Sequence, residues 1–170
     1  LGFFYYILAA VFIVGMVNAV NFTDGIDGLN TSVTLVVALV FSVIAMLLNR
    51  VGLSLYAAAI VGAMIGFLFW NANPAKVFMG DTGSLFLGGA VCALAFGVNM
   101  PILLILIGII YIVEILSVVL QVTYFKISHG KRIFKMAPIH HHFEMCGWNE
   151  NKICFVFSGV TLFAGIIGVL

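Results

Sequence analysis

The sequence is poor in charged residues and contains few cysteines. Only 8% of its 170 residues are charged, whereas about 25% are charged in an average soluble domain. The net charge of +1 provides no overall positive field, which argues against nucleic acid as a partner. The three cysteines are an odd number without metal-type spacing, so we expect them to be reduced and structural rather than part of a disulfide framework.

Hydrophobic residues make up 64% of the chain, and most of them lie in long runs. A helix needs about 20 apolar residues to cross the hydrocarbon layer of a bilayer. Six runs meet or approach that length: residues 1–17, 33–48, 51–70, 85–98, 101–125 and 153–170. We therefore predict an all-α, polytopic membrane helix bundle in which residues 1–170 form a single domain. The second and fourth runs are short, so we expect their helices to extend into flanking polar residues.

The third run contains two small residues four positions apart, Gly62 and Gly66. Small residues at this spacing allow two membrane helices to approach closely. The pair therefore predicts close packing of the third helix, although such pairs are common in apolar runs.

The charged residues concentrate on one side of the predicted bundle. With alternating helices, three connections share one face: residues 18–31, 71–84 and 126–152. Six cations lie on that face: Lys76, Lys126, Lys131, Arg132, Lys135 and Lys152. The opposite face has only Arg50, so the positive-inside rule predicts that the first face is cytoplasmic. All four histidines and every acidic residue except Glu114 lie there, which predicts cytoplasmic chemistry.

The first of these connections carries a repeated polar pattern. Asn18, Asn21, Asp24 and Asp27 recur at every third position at the end of the first run. Two carboxylates that lie close together repel each other unless a cation joins them. With Asp81 converging on them from the next connection, the oxygen ligands predict a Mg²⁺ site. The alternative is a solvated turn, because Asp-Gly pairs are ordinary turn residues.

The second connection reads as a loop that enters a helix. Gly80, Thr82 and Gly83 surround Asp81, and small residues let backbone N–H groups approach a ligand. A helix N-terminus binds anions, and a carboxylate there can hold a metal that bridges to a phosphate. The alternative is that Asp81 or Thr82 caps the next membrane helix.

The third connection contains three consecutive histidines, 140–142, and the nearby cations Lys131, Arg132 and Lys135. Three adjacent side chains cannot all point one way on a regular element, which argues against a tridentate zinc site. The cations predict an anionic ligand, to which histidines could donate hydrogen bonds or act as acid or base. Alternatively, the cations contact anionic membrane lipids.

Two polar residues lie within the fifth run. Glu114 is unexpected in a membrane helix unless it faces the bundle interior or a cavity, and it supports a rival interpretation as an ion-coupled transporter. A transporter predicts several mid-membrane polar residues and often an internal repeat, and only Glu114 qualifies. Gln121, two turns later, would line a pocket or bond to a neighbouring helix.

Three motifs together carry a family resemblance: NFTDGIDGL at 21–29, NPAKVFMGDTGSL at 73–85 and APIHHHFE at 137–144. They resemble the phospho-MurNAc-pentapeptide translocase branch of the polyprenyl-phosphate N-acetylhexosamine-1-phosphate transferases. The match covers essentially the whole chain as the C-terminal half of such a protein. The histidine motif favours this branch over related UDP-GlcNAc transferases, which remain the alternative within the enzyme class.

The resemblance implies a ten-helix, Mg²⁺-dependent enzyme of the bacterial inner membrane, usually a homodimer, with a cytoplasmic active site. Such enzymes transfer phospho-MurNAc-pentapeptide from UDP-MurNAc-pentapeptide to undecaprenyl phosphate in peptidoglycan biosynthesis. The products are lipid I and UMP, and nucleoside antibiotics are expected inhibitors. The family's Asp-Asp pair and substrate-binding lysine belong to the N-terminal half, so we expect this chain alone to be inactive.

The resemblance also implies a role for individual residues. Asp81 would be the Mg²⁺ ligand, with Asp24 beside the metal and the reacting phosphates. Four residues would line the nucleoside pocket, with Phe78 stacking on uracil: Asn21, Asp27, Phe78 and Gly80. Gln121 would reach the uracil. The histidines that would contact phosphate or sugar are His140, His141 and His142.

Overall fold

The computed structural model describes residues 2–170, which form eight α-helices and no β-strand. The helices in chain order are α1 (Phe3–Phe22), α2 (Leu29–Leu47), α3 (Val51–Asn71), α4 (Gly80–Gly97), α5 (Leu103–Ile107), α6 (Ile109–Ile127), α7 (Ile139–Glu144) and α8 (Glu150–Val169). Six of them, all except the short α5 and α7, are long and apolar enough to cross a membrane. This confirms the predicted all-α helix bundle, whereas the single-domain assignment stays a prediction.

The polar ends of two helices extend beyond their apolar runs, as expected. Helix α2 begins at Leu29 instead of residue 33, and α4 begins at Gly80 instead of residue 85. In α2 the added turn carries Asn30 and Thr31, which are both buried. Polar residues therefore enter these helices where the bundle can provide hydrogen-bond partners.

The fifth run does not form one continuous helix, which corrects the predicted single segment over residues 101–125. It divides into α5 and α6 at Gly108, whose backbone leaves the helical conformation. A Cβ built on Gly108 would lie 2.7 Å from the carbonyl oxygen of Leu104, so a larger residue could not take this close turn. Hydropathy alone does not detect the break because both sides of it are equally apolar.

Helix α2 lies at the centre of the bundle. Of its apolar span 61% is buried, compared with 17% for α1 and α3. Two buried hydrogen bonds join α2 to its neighbours: Thr31 Oγ1 to Asn71 Oδ1 of α3 at 2.5 Å, and Thr34 Oγ1 to the Tyr111 hydroxyl of α6 at 2.7 Å. Paired polar side chains of this kind hold membrane helices together where burial of apolar surface provides little driving force.

A glycine in α4 allows the backbones of α1 and α4 to come close together. The space around Gly62 and Gly66 is open to 4 Å within residues 2–170, so none of the described helices packs closely there, and the packing role of this pair stays a prediction. At Gly88 a Cβ would lie 2.7 Å from the Cα of Val17 in α1. This contact brings the last turn of α1 next to the first turn of α4.

We expect Gly88→Ala to destabilise the protein by about 1–3 kcal/mol, because the added methyl must push α1 and α4 apart. Gly89→Ala is the matched control, since the space beside Gly89 is open. That change should be neutral or stabilising by up to about 1 kcal/mol, because alanine favours helix. Thermal unfolding in detergent would compare the two, and equal midpoints would contradict the packing assignment.

Candidate functional site

The site is formed by three connections at one end of the bundle. The first is the aspartate loop, residues 23–28, between α1 and α2. Its Asp27 backbone N–H donates to Glu150 Oε2 of α8 at 2.9 Å. The Asp27 side chain accepts from the backbone N–H of Ala75 at 2.8 Å and from Asn73 Nδ2 at 3.3 Å, both in the second connection. Asp27 therefore ties the first two connections together.

Asn21, in the last turn of α1, joins the aspartate loop to the start of α4. Its Nδ2 donates to Asp81 Oδ1 at 3.1 Å and to Ser84 Oγ at 2.8 Å. Asp81 lies in the first turn of α4, where the positive end of the helix dipole favours a negative charge. Asn21 thus holds the exposed Asp81 carboxylate on the side that faces α1.

Asp24 is half-buried in the aspartate loop and lies within electrostatic reach of Asp81. Burial raises the pKa of its carboxyl most strongly, and the nearby Asp81 charge raises the pKa further. A hydrogen bond from the Gly80 backbone acts in the opposite direction and is outweighed. Asp24 and Asp81 are therefore two close carboxylates whose charges oppose each other, an arrangement that a cation relieves.

The three aspartates do not form a single ligand set, which corrects the predicted convergence. In residues 2–170 no group of three His, Cys, Asp or Glu side chains is placed to hold a metal ion. The reason is that Asp27 Oδ2 is engaged by the second connection. Asp24 and Asp81 remain as a pair, and this fits Mg²⁺, which commonly uses one or two carboxylates together with substrate phosphates.

Phe78 and Gly80, close before Asp81 in the sequence, are exposed. Gly80 has a φ of +65°, a conformation that favours glycine, and the side chain of Phe78 is 74% exposed. Helix α4 has Met79 as its N-cap without a side-chain capping bond, so neither Asp81 nor Thr82 caps it. The capping alternative is therefore wrong, and the Asp81 carboxylate is left to interact with Asn21 and Asp24.

The three histidines have three different partners, as expected from their adjacency. His140 is fully buried, and its Nδ1 lies 2.9 Å from Glu114 Oε2. His141 bonds to Glu144 within α7. His142 Nδ1 accepts from the Lys135 backbone N–H at 3.1 Å. Only His141 and His142 retain exposed surface for a ligand, while the contacts predicted for all three with phosphate or sugar stay predictions.

Gln121 bonds to the third connection. Its Oε1 accepts from the backbone N–H groups of Ile133 and Phe134 at 3.2 and 2.8 Å. Of the two predicted alternatives, the bond to a neighbouring helix is replaced by a bond that anchors a loop, whereas pocket lining stays a prediction. Its contact with uracil stays a prediction, as do the nucleoside contacts of Asn21, Asp27, Phe78 and Gly80.

Two residues with clear positions at the site were not predicted. Glu150, in the first turn of α8, holds the Asp27 backbone, and Ser84 shares Asn21 with Asp81. Ser84 lies inside the second motif near the start of α4, and Glu150 lies in the first turn of α8; these positions are the sequence signals that could have indicated them.

Comparison with known proteins gives consistent matches. Residues 1–99 match the model of glycosyl transferase family 4. Phospho-N-acetylmuramoyl-pentapeptide-transferase of Clostridium botulinum (strain Eklund 17B / Type B) is 52% identical over 170 residues, which are 100% of this chain and 52% of that protein. The same-named protein of Clostridium perfringens (strain SM101 / Type A) is 56% identical over 162 residues, 95% of this chain and 50% of that protein.

A third relative extends the comparison to another genus. Phospho-N-acetylmuramoyl-pentapeptide-transferase of Listeria monocytogenes serotype 4b (strain CLIP80459) is 50% identical over 169 residues, 99% of this chain and 52% of that protein. The chain spans about half the length of the curated relatives it matches. The aligned region extends over α1 to α8 and therefore covers all three connections of the site.

We expect Asp24→Asn to raise the thermal midpoint of the metal-free protein. The raised pKa means that folding disfavours the Asp24 carboxylate, so this destabilisation is absent at low pH and grows as the pH rises through the native pKa. Removing the charge removes the cost near neutral pH. Thermal unfolding in EDTA would measure the change.

Asp27→Asn is the matched control, because Asp27 accepts a hydrogen bond from the Ala75 backbone. Exchanging its carboxylate for a neutral amide weakens a charge-assisted bond, so its midpoint should fall or stay level. A lower midpoint for Asp24→Asn than for Asp27→Asn would contradict the assignment.

Proposed function

Because the chain belongs to glycosyl transferase family 4, we propose that the whole protein transfers phospho-MurNAc-pentapeptide from UDP-MurNAc-pentapeptide to undecaprenyl phosphate. The products are lipid I and UMP. The observation that carries the proposal is the pairing of Asp24 with Asp81 at the first turn of α4. The names of the relatives, at 50–56% identity, support this sugar phosphate over other substrates.

The chemistry explains why a carboxylate pair belongs at this position. A lipid phosphate and a nucleotide diphosphate are both anions, so their approach requires positive charge and fixed geometry. Asp24 and Asp81 would hold Mg²⁺, which when bound neutralises charge on the reacting phosphates. The protein itself has little covalent chemistry to perform.

The residues of this chain would act mainly by positioning. Asn21 holds the Asp81 carboxylate, and Asp27 keeps the second connection against the aspartate loop. Exposed Phe78 would stack on the uracil ring. The lipid phosphate would attack the β-phosphorus, the one that carries the sugar, directly, since a phosphate monoester is largely ionised near neutral pH. The bond to the leaving UMP oxygen breaks as the new phosphate bond forms.

The proposal includes the setting of the enzyme. The excess of cations on the site face supports a cytoplasmic active site, and we propose that the protein lies in the bacterial inner membrane. We propose that it works as a homodimer, and that nucleoside antibiotics inhibit it by occupying the uridine site beside Phe78.

The first test is transfer of labelled phospho-MurNAc-pentapeptide to undecaprenyl phosphate by the whole protein in Mg²⁺ and then in EDTA. We expect lipid I to form only with the metal, and Asp81→Asn to lower the rate at least about 100-fold by removing a metal ligand. Arg50→Gln, at the opposite end of the bundle, should retain wild-type activity. Transfer that persists in EDTA would contradict the metal assignment, and transfer of GlcNAc phosphate alone would assign the protein to the related branch.

A second test concerns the nucleoside pocket. Phe78→Ala should weaken binding of UDP-MurNAc-pentapeptide by about 5- to 150-fold, because base stacking on an aromatic ring contributes about 1–3 kcal/mol. Phe163→Ala is the control, since Phe163 is a similarly exposed phenylalanine on the membrane helix α8. Calorimetry with the two variants would separate them, and unchanged affinity in Phe78→Ala would remove the stacking role.

A further inference from the structure

Glu114 and His140 form a buried pair next to the aspartate loop of the site. Neither side chain has exposed surface, and His140 Nδ1 lies 2.9 Å from Glu114 Oε2. Glu114 belongs to the membrane helix α6, whereas His140 belongs to the short helix α7. A carboxylate in a membrane span is costly unless it is paired, so the pair must offset this cost. It fixes α7 to α6 at one defined point.

The other edge of the His140 ring lies against the aspartate loop. A Cβ built on Gly25 would overlap His140 Nε2 and come within 2.6 Å of Cε1. Gly25 directly follows Asp24 in that loop and is two residues before Asp27. The backbone that carries Asp24 therefore rests on the imidazole ring, and the orientation of that ring is set by Glu114.

We propose that Glu114 is a positioning residue, which acts through His140 to fix the backbone of the aspartate loop at Gly25. Because His140 has no exposed surface, the contact that it makes here is with the loop. The support holds Asp24 beside Asp81, and the effect of this placement on turnover rests on the function proposed above. The contact between the His140 ring and the loop does not depend on that function.

The contacts of the loop make the proposal measurable without any ligand. The Asp24 backbone N–H donates to the Asn21 carbonyl at 3.1 Å, and the Asp27 backbone N–H donates to Glu150 at 2.9 Å. Both amides should exchange slowly with solvent while the loop is held. If the His140 ring loses its orientation, the loop gains freedom and these amides exchange faster.

The experiment is hydrogen–deuterium exchange of the whole protein in detergent, read in peptides that cover residues 23–28. We expect Glu114→Ala and His140→Ala to accelerate exchange there several-fold and to similar extents. The double variant should be no faster than either single one, because both changes remove the same support. Glu114→Gln keeps an acceptor oxygen for the imidazole and should lie between the wild type and Glu114→Ala.

Thr161→Ala is the matched control for general destabilisation. Thr161 is also a buried polar residue of a membrane helix, and its hydroxyl bonds to the Phe157 carbonyl within α8. This variant should lose thermal stability without changing exchange in residues 23–28. Equal acceleration in Thr161→Ala, or exchange at the loop that is unchanged in both Glu114 variants, would overturn the proposal.

The same variants connect the support to turnover. We expect Glu114→Ala to reduce kcat about 10- to 100-fold, as for other groups that orient metal ligands, with the KM for the UDP-sugar nearly unchanged. A wild-type protein without transfer activity would refute the proposed function, yet the exchange result would still decide the role of Glu114. Faster exchange with an undiminished kcat would show that Glu114 supports the loop but that this support does not position the reacting groups. This result would overturn the claim that Glu114 contributes to turnover.

Gly25→Ala tests the contact from the opposite side. Gly25 does not have a positive φ, so the added methyl tests packing against the ring rather than backbone strain. Alone it should lower transfer at least about tenfold, in the range of other changes that displace metal ligands. When Gly25→Ala is added to His140→Ala, it should lower the transfer rate by less than about twofold, since the ring that the methyl would contact is absent. Fully additive losses would overturn the proposal.

Discussion

The contact between α1 and α4 is the constraint on which the site depends. At Gly88 the two helices approach so closely that α4 has no room for a side chain, and one end of this contact carries Asn21 and Asp81. Burial of Asp24 and its repulsion from Asp81 both oppose the arrangement. Because protein interiors resist small displacements, helix packing can hold two carboxylates closer than they would otherwise remain. The site is therefore a consequence of the membrane bundle rather than of its loops.

The connections are held by side chains that project from the helices. Gln121 of α6 binds the backbone after its own helix, and Glu150 of α8 binds the backbone of Asp27. These connections have little regular structure, so their N–H groups need such partners. Each partner lies in the first or last turns of a membrane helix, where it can reach the loop without placing a charge in hydrocarbon. The loops thereby acquire much of the rigidity of the bundle.

The sequence predicted the helices better than the contacts between them. Apolar runs locate the six spans because a bilayer sets their length, but hydropathy does not report the break at Gly108. The spacing of Gly62 and Gly66 indicated close packing, yet spacing does not say which helix face meets a neighbour, and within residues 2–170 it is Gly88 that lies in a close helix contact. An interior position for Glu114 was predicted, whereas its partner His140 was not, because 26 residues separate them.

Asp24 and Asp27 show why a motif alone cannot assign roles within itself. They lie three residues apart in the same loop, and their spacing predicted one metal site for both, whereas the family resemblance assigned Asp27 to the nucleoside pocket. Asp27 is committed to the Ala75 backbone, so replacing it would first loosen a connection. Asp24 has an environment that opposes its charge, and a group that costs stability is retained when function requires it. This difference supports the proposed role of the Asp24 carboxylate in the chemistry, and the hydrogen bonds of Asp27 suit it to holding the site in place.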